Sequence, residues 1–296
     1  MLIRVLSIVF PVFMIVLTGW WYGRRHQPDM IAANRLNMEV FIPALVFGAL
    51  ADGHFDIRSE WPPAAAMAAM VIGSGCIAWP LARWIGVAPK TLVPPMMFNN
   101  CGNLGIPLAV LAFGSSILPS AVTLFLTSNL IHFSLGAWML DRRQGIGMLW
   151  KTPVVAASFC GVFVSLIGVQ IWAPLLTGIH MMGEISVPLM LFSLGVKVAE
   201  APLAHVKLGF SAGVLRPILG ITLMWVLVKI LGLQGPSAGL VILFGSLPPA
   251  VLNYMFSERY QQEPDKVASI VVIGNLLAVP ILPVALAIVL STEGWH

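Results

Sequence analysis

Three carboxamides, two glycines and a proline interrupt the apolar run from Leu92 to Phe113, in the stretch Met97-Phe98-Asn99-Asn100-Cys101-Gly102-Asn103-Leu104-Gly105-Ile106-Pro107. Carboxamides donate and accept hydrogen bonds without a fixed charge, which suits reversible binding of a small polar or anionic solute. Asn99 and Asn103 share one helical face, with Asn100 alongside. Pro107 has no amide hydrogen, and its ring clashes with the carbonyl four residues back, so the carbonyl of Asn103 is expected to lose its helical partner. Gly102 and Gly105 make unwinding easy. In hydrocarbon, irregular backbone survives only where it faces protein or a water-filled cavity. The stretch therefore reads as a broken transmembrane helix lining a site.

The elements that must position it are membrane helices. The chain is 58% hydrophobic and 9% charged, with a mean hydropathy of +0.92; a soluble domain carries about 25% charged residues. Apolar runs long enough to cross a bilayer as helices recur along the whole length, unlike the short alternating segments of a barrel. Cys76, Cys101 and Cys160 fall at wide separations inside those runs, which gives neither a disulfide framework nor a zinc spacing, and they read as packing residues. The formal charge of +4 sits in connections and lacks a basic aromatic platform, so nucleic acid is not an expected partner. The expected partners are the lipid bilayer and a small organic anion.

Ten spans are expected: Val5 to Tyr22, Leu36 to Leu50, Pro62 to Ile85, Leu92 to Phe113, Ile117 to Leu140, Pro153 to Trp172, Met181 to Val198, Leu208 to Leu231, Ser237 to Ser257 and Val267 to Leu290. The first is followed by Trp20-Trp21-Tyr22 and Arg24-Arg25 with no small-residue cleavage pattern, so it is read as a retained span. Arg24, Arg25, Arg35, Arg83, Lys90, Arg142, Arg143, Lys151, Lys197, Lys207, Arg259 and Lys266 follow odd-numbered spans, whereas the other side holds only Arg4, Arg58 and, at a helix end, Lys229, with Asp52, Asp56 and Glu60 beside Arg58 in the second connection. The positive-inside rule then puts both termini outside the cytoplasmic membrane.

The two halves echo each other. Glu39, Pro43 and Phe47 recur as Glu184, Pro188 and Phe192 at a constant offset of 145 residues (39 to 184, 43 to 188, 47 to 192), and the same offset carries Asn103 to Pro248. Pro248 centres a second broken-looking stretch, Leu247-Pro248-Pro249-Ala250-Val251-Leu252-Asn253. A five-helix unit used twice, over residues 1–145 and 146–296, must enter the membrane from opposite sides in its two copies. Inverted repeats with discontinuous helices meeting near the midplane are a transporter architecture. Each break starts a half-helix whose amide hydrogens and dipole attract carboxylate or another oxyanion. The freed carbonyls at Asn103 and near Phe244 and Gly245 instead suit donors or a cation. Asn99, Asn100, Asn103, Gly105, Pro107, Pro248, Pro249 and Asn253 are the candidate substrate-binding residues.

Other polar positions carry two readings each. Glu39 and Glu184 suit proton or cation coupling, or an acid stabilised near a helix N-terminus. Asn129 and Asn275 suit the site or interhelical packing, His132 a proton shuttle or a hydrogen-bonded packing histidine. Arg216 is expected to snorkel to the cytoplasmic face. No metal motif or cofactor is expected. Sodium or proton coupling, transport direction and a homodimeric state stay open.

The chain resembles the auxin efflux carrier family, which includes the plant auxin exporters and bacterial malonate-transporter-like permeases. The resemblance rests on Asn34-x-Leu36-Asn37 followed by Phe41-Ile42-Pro43-Ala44-Leu45-Val46-Phe47. It continues with Asn100 ahead of Gly105-Ile106-Pro107-Leu108, and with Leu247-Pro248 leading to Phe256-Ser257-Glu258-Arg259-Tyr260, Pro264, Ser269, Gly274 and Pro280. It implies a ten-helix fold similar to bile-acid sodium symporters, with a scaffold part, a transport part and elevator-like movement. It also implies a substrate carboxylate at the crossing of helices 4 and 9, near the asparagine that Asn100 matches. The long central loop of the plant members is missing here, and Asn99-Asn100-Cys101-Gly102-Asn103 departs from their Pro-Asn-Thr-Leu, so the resemblance points to a permease for a small organic acid rather than for auxin. A sodium-coupled symporter of the same fold is the alternative; an intramembrane enzyme lacks a Gly-x-Ser-x-Gly element or zinc motif, and a channel would conduct without saturation.

Overall fold

A computed structural model describes residues 2–51, 56–141, 153–200 and 204–291. Asp52, Arg142, Arg143 and Lys151, and the boundary between residues 145 and 146, lie outside the described residues. With so few polar side chains available, the backbone satisfies its own hydrogen bonds locally, and the described residues are helical with no named strand. The α-helices are α1 (Leu2–His26), α2 (Ile31–Leu36), α3 (Ile42–Ala51), α4 (Ile57–Trp84), α5 (Pro89–Met97), α6 (Ile106–Phe113), α7 (Leu118–Ile131) and α8 (Ala137–Leu140). They continue as α9 (Pro153–Ile167), α10 (Ala173–Glu200), α11 (Val206–Leu231), α12 (Gly235–Gly245), α13 (Leu252–Arg259) and α14 (Pro264–Ser291). Among the described residues six apolar helical stretches are long enough to cross a membrane: Ile3–His26, Arg58–Trp84, Ser115–Leu140, Ala173–Ala199, Val206–Leu231 and Pro264–Ser291.

Local chemistry sets the ends. The Asp56 carboxylate accepts from the Arg58 amide at 3.0 Å and caps α4. Gly232, with φ at 64°, ends α11 in the left-handed conformation. Three π turns, Asn37–Phe41, Cys101–Gly105 and His132–Gly136, insert into otherwise α-helical runs. Each holds one of the singled-out residues, Glu39, Asn103 or His132, and π turns often accompany functional positions.

The helices fall into two packing groups. In one, α1 lies along α10, and α3 packs on α9 and α10. The α1–α10 approach needs glycine: a Cβ at Gly19 would stand 2.2 Å from the Phe192 carbonyl oxygen, and one at Gly195 would stand 2.0 Å from that of Val16. In the other group α4 packs on α5, α7 and α11, and α11 on α12 and α14. The groups meet where α1 touches α6 and α14, where α3 touches α7, and where α10 touches the π turn Cys101–Gly105.

Three sequence expectations change. The sixth span ends at Ile167, and α10 begins at Ala173 rather than Met181, because Gly168 turns the chain at φ 67° and Pro174 suits a first helical turn. Glu184 is therefore well inside α10, away from the N-terminal dipole. The break in the fourth span falls at Phe98–Asn100, upstream of Pro107, which lies inside the continuous half-helix Cys101–Phe113, just after the π turn that shifts its hydrogen-bond register. Arg216 does not snorkel: it is 0% exposed, held between α4 and the end of α12.

Candidate functional site

The two interruptions meet backbone to backbone. Phe98 leaves α5 with extended dihedrals (φ −102°, ψ 114°). Asn100 follows with φ −81° and ψ 58°, an inverse γ-turn closed by the Cys101 amide on the Asn99 carbonyl at 2.9 Å. In the ninth span, Pro248 and Pro249 remove two amide donors and the chain stops being helical after Gly245. Asn99 and Pro249 then form an isolated antiparallel bridge. The Asn100 amide donates to the Pro248 carbonyl at 2.8 Å, and the Ala250 amide to the Phe98 carbonyl at 2.9 Å. Each interrupted stretch thus satisfies main-chain groups of the other, a burial that water would otherwise oppose.

The carboxamides complete this seam. Asn99 Nδ2 donates to the Phe244 carbonyl, and its Oδ1 accepts from Cys101 Sγ at 2.6 Å. Asn100 Nδ2 donates to Asn275 Oδ1 at 3.0 Å, and Asn275 Nδ2 donates to the carbonyls of Pro249 at 3.0 Å and Val271 at 2.8 Å. Asn253 Nδ2 donates to the carbonyls of Phe98 and Ala250, both at 3.0 Å. Gly105 allows α6 to press on the second break, because a Cβ there would stand 2.9 Å from Leu247 Cδ1 and 3.0 Å from Phe244 Cζ. His132 stacks on Phe98 at 3.9 Å between ring centroids, with Phe256 edge-on at 5.0 Å. Its Nε2 and Asn253 Oδ1 are buried without a partner among the described residues.

Asn103 differs from its neighbours. It is part-exposed, its side chain makes no hydrogen bond to a described residue, and it lies on the π turn that faces α10 across the seam between the packing groups. The amides of Gly102 and Asn103, at the start of the returning half-helix, have no acceptor among the described residues, and neither do those of Val251 and Leu252 at the start of α13. Gly102 is walled by Phe125 of α7 and Met190 of α10, whose Cε2 and Sδ would lie 3.0 and 3.7 Å from an added Cβ. The first break thus presents partial positive charge and a free carboxamide side by side, the requirement for holding an oxyanion.

The remaining candidates are elsewhere. Glu39 is exposed and pairs with Arg35 at 3.2 Å, Glu184 is exposed on α10, and Asn129 is half-buried on α7. No group of three or more metal-ligating side chains occurs among the described residues. The sequence reading missed the roles of Cys101 and Arg216. Arg216 Nη1 donates to the Gly245 carbonyl at 3.1 Å, beside the carbonyl that Asn99 holds. The spacing of Arg216 and Gly220, one turn apart, is the sequence signal that an approach to another backbone needs room there.

Residues 144–286 match the family model described as membrane transport protein. The chain is 28% identical over 291 residues to an uncharacterized transporter of Methanothermobacter thermautotrophicus, a match covering 93% of this chain and 95% of that protein. It is 24% identical over 200 residues to a candidate malonate transporter of Rhizobium meliloti, covering 62% of this chain and 61% of that one. It is 26% identical over 146 residues to auxin efflux carrier component 1 of Arabidopsis thaliana, covering 45% of this chain and 23% of the plant protein. The chain thus spans less than two thirds of the malonate-transporter and plant relatives.

Proposed function

We propose that this chain, which through residues 144–286 belongs to the membrane transport protein family, is a secondary transporter that moves a small organic carboxylate across the cytoplasmic membrane. The observation that carries the proposal is the pairing of two interrupted helices around unpaired half-helix amides and the free Asn103 carboxamide. Two half-helix N-termini, each equivalent to roughly half a positive charge, favour a carboxylate over a neutral or cationic solute. The names of the relatives, which include malonate and auxin carriers, support the same solute class.

Ten spans in two inverted five-helix repeats, with both termini outside, account for the meeting of Asn99 with Pro249 at one depth. The two packing groups support movement of one against the other. The group of α4–α7 and α11–α14 carries both breaks, while α1, α3, α9 and α10 supply the opposing wall. Sliding along that seam would expose Asn103 alternately to each side, as an elevator-like mechanism requires.

The test is a thermal-shift screen of the purified full chain against mono- and dicarboxylates, followed by uptake in liposomes. A ligand that binds only the folded state raises its melting temperature. At least one carboxylate is expected to stabilise the protein and to be taken up saturably and unaltered. A protein indifferent to every carboxylate, or one that converts the solute chemically, would overturn the proposal.

A further inference from the structure

The C-terminal end of α12 is a cluster of carbonyls at the negative pole of a half-helix, and in transporters with discontinuous helices such ends coordinate the coupling cation. Here the chain's own donors fill all of them. The Ile242 and Leu243 carbonyls accept from the Ser246 amide at 3.2 and 3.0 Å, and Leu243 also accepts from Ser246 Oγ at 2.7 Å. The Phe244 carbonyl accepts from the Asn99 carboxamide. The Gly245 carbonyl, the last of the series, accepts from Arg216 Nη1.

Arg216 is fully buried and has no carboxylate partner among the described residues. Among the described residues its other hydrogen-bond contact is Nη2 on Met70 Sδ at 3.8 Å, and its Nε has no hydrogen-bond partner there. A buried guanidinium without a counter-anion is costly unless something else needs the charge. The room for it is purpose-shaped: a Cβ on Gly220 would stand 2.1 Å from the Gly245 oxygen and 2.3 Å from Arg216 Nη1, and a Cβ on Gly245 would stand 2.6 Å from the Gly220 oxygen. Glycine at both positions lets the guanidinium reach the carbonyl.

We propose that Arg216 is a tethered cation standing where a transporter of this construction would otherwise bind a sodium ion. It neutralises the carbonyl end of α12 permanently, so the crossing keeps its form without a bound cation. A further consequence is that the region beside the solute site carries a full positive charge, which adds to the half-helix amides in favouring an anion. The assignment rests on the transporter reading only for what the cation is for.

The experiment measures thermal unfolding of the purified full chain in sodium chloride and in choline chloride at matched ionic strength, with no organic anion present. Wild type is expected to melt at the same temperature in both salts, to within about 1 °C. Arg216→Ala, which vacates the carbonyl, is expected to melt lower in choline and to regain several degrees specifically in sodium, because a bound ion stabilises the folded state. Sodium-specific stabilisation of wild type, or an Arg216→Ala protein that responds equally to both salts, would overturn the proposal. If Arg216→Ala does not fold, Arg216→Lys and Arg216→Met decide. Lysine, which keeps a cation within reach of the carbonyl, should melt higher than methionine, which keeps the bulk alone; methionine melting at or above lysine would overturn it. The carboxylate screen can fail while this result stands, and the reverse, because neither assay contains the other's ligand.

Discussion

The two interrupted helices solve the same problem with different residues. The first break is rich in side-chain donors and acceptors: Asn99, Asn100, Cys101 and Asn103. The second, Ser246 to Val251, contains two prolines and offers mainly carbonyls. One stretch therefore supplies side-chain donors, and the other supplies the acceptors and the shape. Even the helix that closes the seam follows this division: Asn275 accepts from Asn100 of the first break and donates to Pro249 of the second. Backbone groups freed by a break in a membrane helix must face protein or a water-filled cavity, and here each break supplies much of what the other lacks.

The largest effect is expected where the two breaks share one residue. Asn275→Leu removes three hydrogen bonds and leaves Asn100 Nδ2 and the Pro249 carbonyl buried without partners, a loss of about 3 kcal/mol. Thermal unfolding checks it, and an unchanged melting temperature would mean the carboxamide chain does not hold the breaks together. Next is Gly105→Val, whose added atoms meet Leu247 and Phe244 across the crossing, for an overpacking cost of about 2 kcal/mol. Here the comparison sharpens, because the steric fit between the breaks is tested without touching a polar group.

Asn103→Ala separates binding from stability. It removes no hydrogen bond to a described residue, so stability should change by less than about 0.5 kcal/mol, while affinity for the carboxylate found by the screen should fall about tenfold, one hydrogen bond to a charged group. Equal affinity in a direct titration would move the solute away from the first break.

The smallest effects lie at the periphery. Glu39→Gln, at an exposed pair with Arg35, should leave both stability and uptake within about 0.5 kcal/mol of wild type. Glu263 follows α13 and accepts from Thr91 in the first turns of α5, tying the outer ends of both interrupted spans. Its carboxyl is held below the usual carboxylate range first by the Lys266 ammonium and then by the Thr91 hydroxyl. A depressed native pKa adds stability above the unfolded pKa and loses it as pH falls through the native value. Glu263→Gln should therefore lose a small part of its stability at neutral pH and none at low pH; a difference that grows on acidification would contradict the assignment.

Much of this was legible along the chain, and unevenly so. The apolar runs announced the helices, because hydrocarbon leaves the backbone no other way to bond. The prolines and asparagines announced two interruptions. Where the first break falls was not legible: Pro107 suggests itself as the cause, yet it lies inside the half-helix that follows the break, and the extended turn at Phe98–Asn100 exists because Pro248 and Ala250 offer it partners. Arg216 was misread for a similar reason, since a one-dimensional pattern shows distance to a helix end but not the Gly245 carbonyl waiting beside it. The three π turns also left no sequence trace, because one residue inserted in a helix changes no composition.

Sequence alone determined that this is a helical membrane protein with two damaged helices and a concentration of carboxamides in the first. Covalent and local facts suffice for that: proline lacks a donor, glycine lacks a Cβ, and leucine avoids water. Only the tertiary structure decided which polar groups are spent and which remain. Asn99, Asn100, Asn253 and Asn275 are consumed in joining the breaks, whereas Asn103 and the amides beside it are left over. A hydrogen bond is a relation between residues far apart in the chain, and its availability to a solute is known only after every other claimant has been seated.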